Sequence, residues 1–185
     1  MRRIRLTIAY DGTNYRGWQI QQPTAAHPEG SVPTIQGALQ LALGQLLPKE
    51  AVHGAAPEKS PDPQTLEHAA GEPAAVVTAT APDQVGEVTG PGILPVVGAS
   101  RTDSGVHALG NVACFDTEST IPAANFPKAI NRYLPADIRV MQADEVSMDF
   151  HPRFVPHEKC YEYRIDHGRV ANPLTRLYAY HYTYP

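Results

Sequence analysis

Only two cysteines, Cys114 and Cys160, occur in the 185 residues. Two thiols cannot build a disulfide framework, and theirs lack the spacing of a metal site. They are read as buried free thiols, because free cysteine is among the most buried residue types. No apolar run approaches the roughly 20 residues that a membrane-spanning helix needs. The basic start, Met1-Arg2-Arg3-Ile4-Arg5, leads into no apolar stretch of the secretory kind. The expectation is therefore a cytoplasmic protein with no membrane partner. A Gly-rich phosphate loop and a cluster of metal-ligating residues are also missing, so no cofactor and no metal are expected.

Net positive charge is absent too. The formal total is −4, which argues against a nucleic-acid partner until its distribution is considered. The stretch from Lys49 to Pro95 holds two basic and seven acidic residues, a net of −5, which leaves +1 for everything else. Arg2, Arg3, Arg5, Arg16, Arg101, Arg153, Lys159 and Arg164 all lie outside it. Local potential matters more than the total, so a basic face is compatible with this composition. The N-terminal arginines admit two readings, a solvated strand face or a surface for backbone phosphates.

Residues 3–10 alternate, with Ile4, Leu6, Ile8 and Tyr10 on one side, which predicts a half-buried strand. Asp11-Gly12-Thr13-Asn14 supplies turn chemistry after it. Thr34 is placed to cap a helix carrying Ile35, Leu39, Leu43, Leu46 and Leu47 at helical spacing up to Pro48. Eight of the eighteen prolines then fall between Pro48 and Pro95, with no sustained periodicity. Such a stretch buries too little apolar surface to offset its ordering entropy, so residues at about 48–92 are expected to be a flexible insertion. Strands are predicted at 93–99, 111–116 and 138–146, with a helix at 124–134. Further strands are expected at 159–165 and 177–184. The order β-α-β-β-α-β is that of the ferredoxin-like split unit, an α+β fold, here expected to be extended by further antiparallel strands. That fold hosts many activities and selects none.

Three stretches carry more chemistry than a scaffold needs. They are Tyr10-Asp11-Gly12-Thr13-Asn14-Tyr15-Arg16-Gly17-Trp18-Gln19, then Arg101-Thr102-Asp103-Ser104-Gly105-Val106-His107-Ala108, then Phe150-His151-Pro152-Arg153-Phe154 with Lys159-Cys160-Tyr161-Glu162-Tyr163-Arg164. Asp103 follows a strand in a Gly-containing loop, two residues after Arg101. A neighbouring guanidinium favours the ionised carboxylate, and an ionised carboxylate can serve as nucleophile or base. For an arbitrary Arg-Thr-Asp the commoner outcome is an Asx-turn beside a solvated arginine. Tyr161 and Tyr163 would by propensity alone be core residues of a strand. Trp18 reads as a buried loop anchor and His107 as a structural loop histidine. His151 and His157 have no carboxylate partner at metal-ligand spacing.

The second stretch closely resembles the nucleophile motif of the tRNA pseudouridine synthase A family. The first resembles that family's Tyr-Asp-Gly-Thr and Gly-Trp-Gln opening, and the third its Phe-His-x-Arg-Phe and Tyr-x-Tyr-Arg segments. The helix after Thr34-Ile35-Gln36 is also in place, and all occur in family order. The resemblance implies an incomplete pseudouridine synthase fold and an isomerase that converts uridine to pseudouridine in the tRNA anticodon arm. Asp103 would be the nucleophile. Tyr161 would pack on the target base, and Arg101 would pair with Asp103 and fill the gap left by the flipped base. Arg164 and Arg153 would contact phosphate. Tyr163 is kept as a core residue. The reaction breaks N1–C1′ and joins C5 to C1′. A carboxylate can assist it by adding at C6 or by acting at C1′. It requires neither redox change nor metal.

Two departures from the family accompany the resemblance. One is the insertion, where a short helix-to-strand link is usual. The other is length. Family members continue into a second α/β half, so residues 1–185 are read as the N-terminal part of a synthase domain. Little catalysis is expected from that part alone, and a homodimer is expected at full length. The competing class is a non-catalytic RNA-binding fragment of the same fold, weakened by the lack of an RNP-type aromatic motif. A metal-dependent hydrolase built on Asp103 and the histidines is a third reading.

Overall fold

The computed structural model describes residues 1–21, 33–47 and 94–184. The expected insertion and the prolines at 23 and 28 lie outside these residues. Among the described residues, no helix is long and apolar enough to cross a membrane.

Strand β1 (Arg2–Tyr10) follows the predicted alternation, with Ile4, Leu6 and Ile8 fully buried and Tyr10 nearly so. It is the central strand. β3 (Ala108–Thr117) pairs with one of its edges and β4 (Ile138–Val146) with the other, both antiparallel. β2 (Val97–Gly98) adds antiparallel to β3, and the sheet order is β2-β3-β1-β4. The protein is therefore α+β with an antiparallel sheet.

Helix α1 (Ile35–Leu46) starts at Thr34, whose Oγ1 accepts from Gly37 N at 3.2 Å, as its sequence position predicts. Its buried stripe of Ile35, Leu39, Ala42 and Leu43 joins the core formed by β1. Ile35, Leu39 and Leu43 each contribute about 1.5–3 kcal/mol by leaving water. A short 3-10 turn (Ala123–Asn125) runs into α2 (Phe126–Ile130), whose Phe126 meets Phe115 edge-on at 5.5 Å. The helix predicted over 124–134 is shorter than expected. Asn131 leaves it to bond the outer edge of β4, accepting from Val140 N at 2.8 Å and donating to Val140 O at 2.9 Å. Pro135 also disfavours helical geometry at Leu134.

The opposite face of the sheet is charged and paired across strands. Arg3 holds its register partner Asp116 with two bonds of 2.7 and 2.8 Å, and Arg5 holds its partner Asp144 at 2.9 Å. Arg2 pairs with Glu145 at 3.1 Å. The hydrogen bonds it donates to Asp116 hold the Arg3 guanidinium above its ordinary pKa. These arginines are thus engaged with carboxylates, as a strand face would have them.

The strand predicted over 93–99 pairs regularly only at Val97–Gly98. Pro95 has no N–H to give, and the Val96 carbonyl is taken by the Gln36 side chain at 2.9 Å. The expected antiparallel extension beyond β4 is corrected by the structure. β5 (Ile165–Asp166) and β6 (Tyr180–His181) form a separate parallel pair. The 159–164 stretch has strand-forming residues but joins no strand among the described residues, so propensity finds no edge to satisfy it. Tyr163, expected in the core, is therefore 87% exposed. Cys160 is exposed for the same reason, whereas Cys114 is buried within β3.

Candidate active site

Asp103 lies in the loop between β2 and β3, and that loop is braced against the turn that follows β1. The Trp18 amide donates to Thr102 O at 3.0 Å. The Tyr10 hydroxyl lies 2.8 Å from Thr102 Oγ1 and accepts from Asn111 Nδ2 at 3.2 Å. Burial holds the Tyr10 phenol above its ordinary pKa. Beyond Asp103, the Gly105 amide and the Ser104 hydroxyl both donate to Tyr15 O, at 3.2 and 3.3 Å. Tyr15 is in turn fixed by its hydroxyl, which donates to Asp137 Oδ1 at 2.6 Å. Burial first, and that carboxylate second, raise the Tyr15 pKa.

Two glycines let these backbones meet. A Cβ on Gly17, whose φ is +82°, would lie 2.3 Å from Thr102 O. A Cβ on Gly12 would lie 2.0 Å from Val106 O. The opening motif thus packs backbone to backbone on the Asp103 loop, which explains its small residues at these positions. Trp18, 1% exposed, anchors the turn as expected. Gln36 links the same parts from α1, accepting from Ile20 N at 3.1 Å while it donates to Val96 O.

Asp103 itself is exposed. Its carbonyl, not its carboxylate, closes the local turn by accepting from Val106 N at 3.2 Å. Among the described residues no donor bonds the carboxylate, so the Asx-turn alternative is not what the loop adopts. Its oxygens face solvent from a backbone tied down on both sides. Arg101 is exposed on the same loop.

The other sequence-predicted residues are placed unequally. Arg153 is half-buried and donates from Nε to Gly98 O at 3.0 Å, which sets it against the strand that delivers the Asp103 loop. Arg164 is exposed and paired with Glu162 at 2.6 Å, a bond that raises its pKa. Tyr161 is 68% exposed and makes no hydrogen bond or ring contact among the described residues. His151 stacks on Phe154 at 4.2 Å, and the His157 ring lies 2.8 Å from Val155 O.

A contact that sequence reasoning missed joins Asp11, His107 and Tyr178. Tyr178 donates its hydroxyl to Asp11 Oδ2 at 2.7 Å and sets its ring 5.1 Å from the His107 ring. His107 Nε2 lies 3.2 Å from Leu177 O. Its Nδ1 lies 3.1 Å from Gly12 N and 3.0 Å from Asp11 Oδ1, so it either accepts from the amide or, if protonated, donates to the carboxylate. Hydrogen bonds from Thr13 and then Tyr178 hold Asp11 at a pKa of about 2. The Asp-Gly-Thr turn was legible. Its distant partner carried no local signal.

A solvent-facing carboxylate on a loop braced from both sides, carried by an antiparallel α+β sheet, defines a candidate carboxylate active site. Residues 6–155 match the family described as tRNA pseudouridine synthase, and the chain belongs to that family. It is 37% identical over 185 residues to the tRNA pseudouridine synthase A of Solibacter usitatus, covering 100% of this chain and 56% of the relative. The enzyme of that name from Moorella thermoacetica is 35% identical over 182 residues, covering 98% and 54%. That of Citrifermentans bemidjiense is 37% identical over 177 residues, covering 96% and 50%. The chain spans about half the length of the curated relatives it matches.

Proposed function

We propose that this chain is the nucleophile-bearing, N-terminal part of an RNA-modifying isomerase that converts uridine to pseudouridine in the anticodon arm of tRNA. The sheet order β2-β3-β1-β4 with two crossover helices is that of the split unit, and an incomplete pseudouridine synthase fold is proposed on it. Residues at about 48–92 are taken as an insertion within that one domain. The observation that carries the proposal is the position of Asp103. It is exposed on a braced loop, inside the span that matches the family, with its carboxylate unengaged among the described residues.

The roles follow from the chemistry. N1–C1′ breaks, the base turns, C5 joins C1′, the proton on C5 leaves and N1 gains one, so atoms balance without any co-reactant. Asp103 assists by adding at C6 or by acting at C1′. The uridine must leave its stack to be reached. The exposed Tyr161 ring would receive it, offsetting about 1–3 kcal/mol of the unstacking cost. Arg101 would pair with Asp103 and fill the vacated space. Arg153 and Arg164 would meet phosphates once Arg164 exchanges Glu162 for RNA. A homodimer at full length and a cytoplasmic location belong to the same proposal.

Tritium release from tRNA labelled at uracil C5 tests the function. It is measured for the chain alone and for the chain joined to the portion of the Solibacter usitatus relative that it does not span. The joined form should release tritium, and the chain alone little. Release that persists when the anticodon-arm uridines are replaced by cytidine would refute the substrate assignment. Binding of tRNA with no release from either form would favour a non-catalytic RNA-binding fragment.

A further inference from the structure

We propose that Tyr178 is a positioning residue that clasps the turn after β1 and thereby sets the presentation of Asp103. This role depends on Asp103 being the nucleophile, as proposed above. Tyr178 arrives from a part of the chain 167 positions away from Asp11, so nothing local requires the contact. Its hydroxyl takes Asp11 Oδ2, while Asp11 Oδ1 accepts from Thr13 N at 3.0 Å and from Thr13 Oγ1 at 2.6 Å. Both carboxylate oxygens are thereby committed, and Asp11 cannot swing toward solvent without losing bonds. The neighbouring Leu177 carbonyl meets His107 Nε2, and the Tyr178 ring covers the imidazole.

The path from this clasp to Asp103 is short. His107 stands 3.1 Å from the Gly12 amide. Gly12 lies so close to the Val106 carbonyl that no side chain fits between them. Val106 N closes the turn on Asp103 O at 3.2 Å. Releasing Tyr178 therefore loosens the turn at 11–13, which keeps its bonds to Asp137 and Tyr15, and lets the 106–107 end of the loop move against it. The ties from Trp18 and Tyr15 act at residues 102–105, whereas residues 106–107 meet the turn through Gly12. The low pKa of Asp11 keeps the acceptor ionised under ordinary working conditions.

The test compares wild type with Tyr178→Phe, which removes the hydroxyl and keeps the ring, and with Tyr178→Leu, which removes both. Amide hydrogen exchange is followed in the 185-residue chain at Gly12 and Val106, with Leu6 and Ile8 as core references. Exchange at these two amides should rise about tenfold in Tyr178→Phe and further in Tyr178→Leu, with the references unchanged. Unchanged loop amides, or an equal rise at Leu6 and Ile8, would overturn the clasp. In the joined form that releases tritium, kcat should fall several-fold while KM stays near the wild-type value. A rise in KM at constant kcat would instead make Tyr178 a binding residue. If wild type releases no tritium, the proposed activity fails, and the exchange experiment still decides whether Tyr178 orders the loop.

Discussion

The Trp18 indole presses on Gly98 so closely that a Cβ at residue 98 would fall 2.4 Å from ring atom Cε2. Gly98 ends β2, and its carbonyl receives Arg153, so one small residue lets the opening motif, the nucleophile strand and the third motif converge. Gly98→Ala should destabilise the fold by about 1–3 kcal/mol through overpacking. Trp18 is the sole tryptophan of the chain, so its fluorescence reports the change directly during urea unfolding. An unchanged midpoint would contradict the packing described.

Gly17 and Gly105 both have positive φ, +82° and +79°, but their surroundings differ. A Cβ on Gly17 meets Thr102 O, whereas one on Gly105 has nothing within 4 Å. Gly105→Ala should lower stability by about 1 kcal/mol, the conformational term alone. Gly17→Ala should cost clearly more, because the Thr102 backbone must also move. Thermal melts of the two variants check the order, at about 2–4 °C per kcal/mol for a chain of this size.

Gln36 is buried and serves two backbone groups, Ile20 N and Val96 O. Gln36→Leu keeps the bulk and strands both groups, so a loss of about 2–4 kcal/mol is expected. Denaturant unfolding measures it. A loss below about 0.5 kcal/mol would show that these bonds are replaceable.

The Asp11 clasp has a defined acid limit. Its pKa of about 2 lies below the ordinary 3.8, so the folded state favours the ionised carboxylate. The associated stability is fully present above about pH 4 and is lost as pH falls toward 2. Following the Asp11 carboxyl and the Tyr178 ring by NMR between pH 5 and pH 2 should show both titrating together near the lower end. A midpoint near 4 would mean that the bonds to Thr13 and Tyr178 do not hold in solution.

What was legible in the sequence was local. β1 was read from the alternation of Ile4, Leu6, Ile8 and Tyr10, and α1 from Thr34 and the leucine spacing, because those patterns are set within one element. The Asp103 loop was singled out by its resemblance to a known motif, since Arg-Thr-Asp alone describes many turns. What was misread depended on distant surfaces. Tyr163 and Cys160 have the propensity of a strand, but propensity does not say what will cover them. Arg3 and Asp116 stand 113 positions apart, and only the register of β1 on β3 makes them partners. Tyr178 on Asp11 is a contact of the same kind, invisible until the chain is folded.

The most direct measurement is single-turnover conversion of uridine in tRNA by the joined form, with wild type and Asp103→Asn compared at equal bound RNA. The substitution removes one charge from an exposed side chain that, among the described residues, holds no hydrogen bond, so neither melting temperature nor tRNA affinity should change appreciably. No detectable pseudouridine should form with Asp103→Asn beside full conversion by wild type. Product from the variant at a rate within about tenfold of wild type, a barrier difference of only about 1.4 kcal/mol, would contradict the assignment of Asp103 as nucleophile.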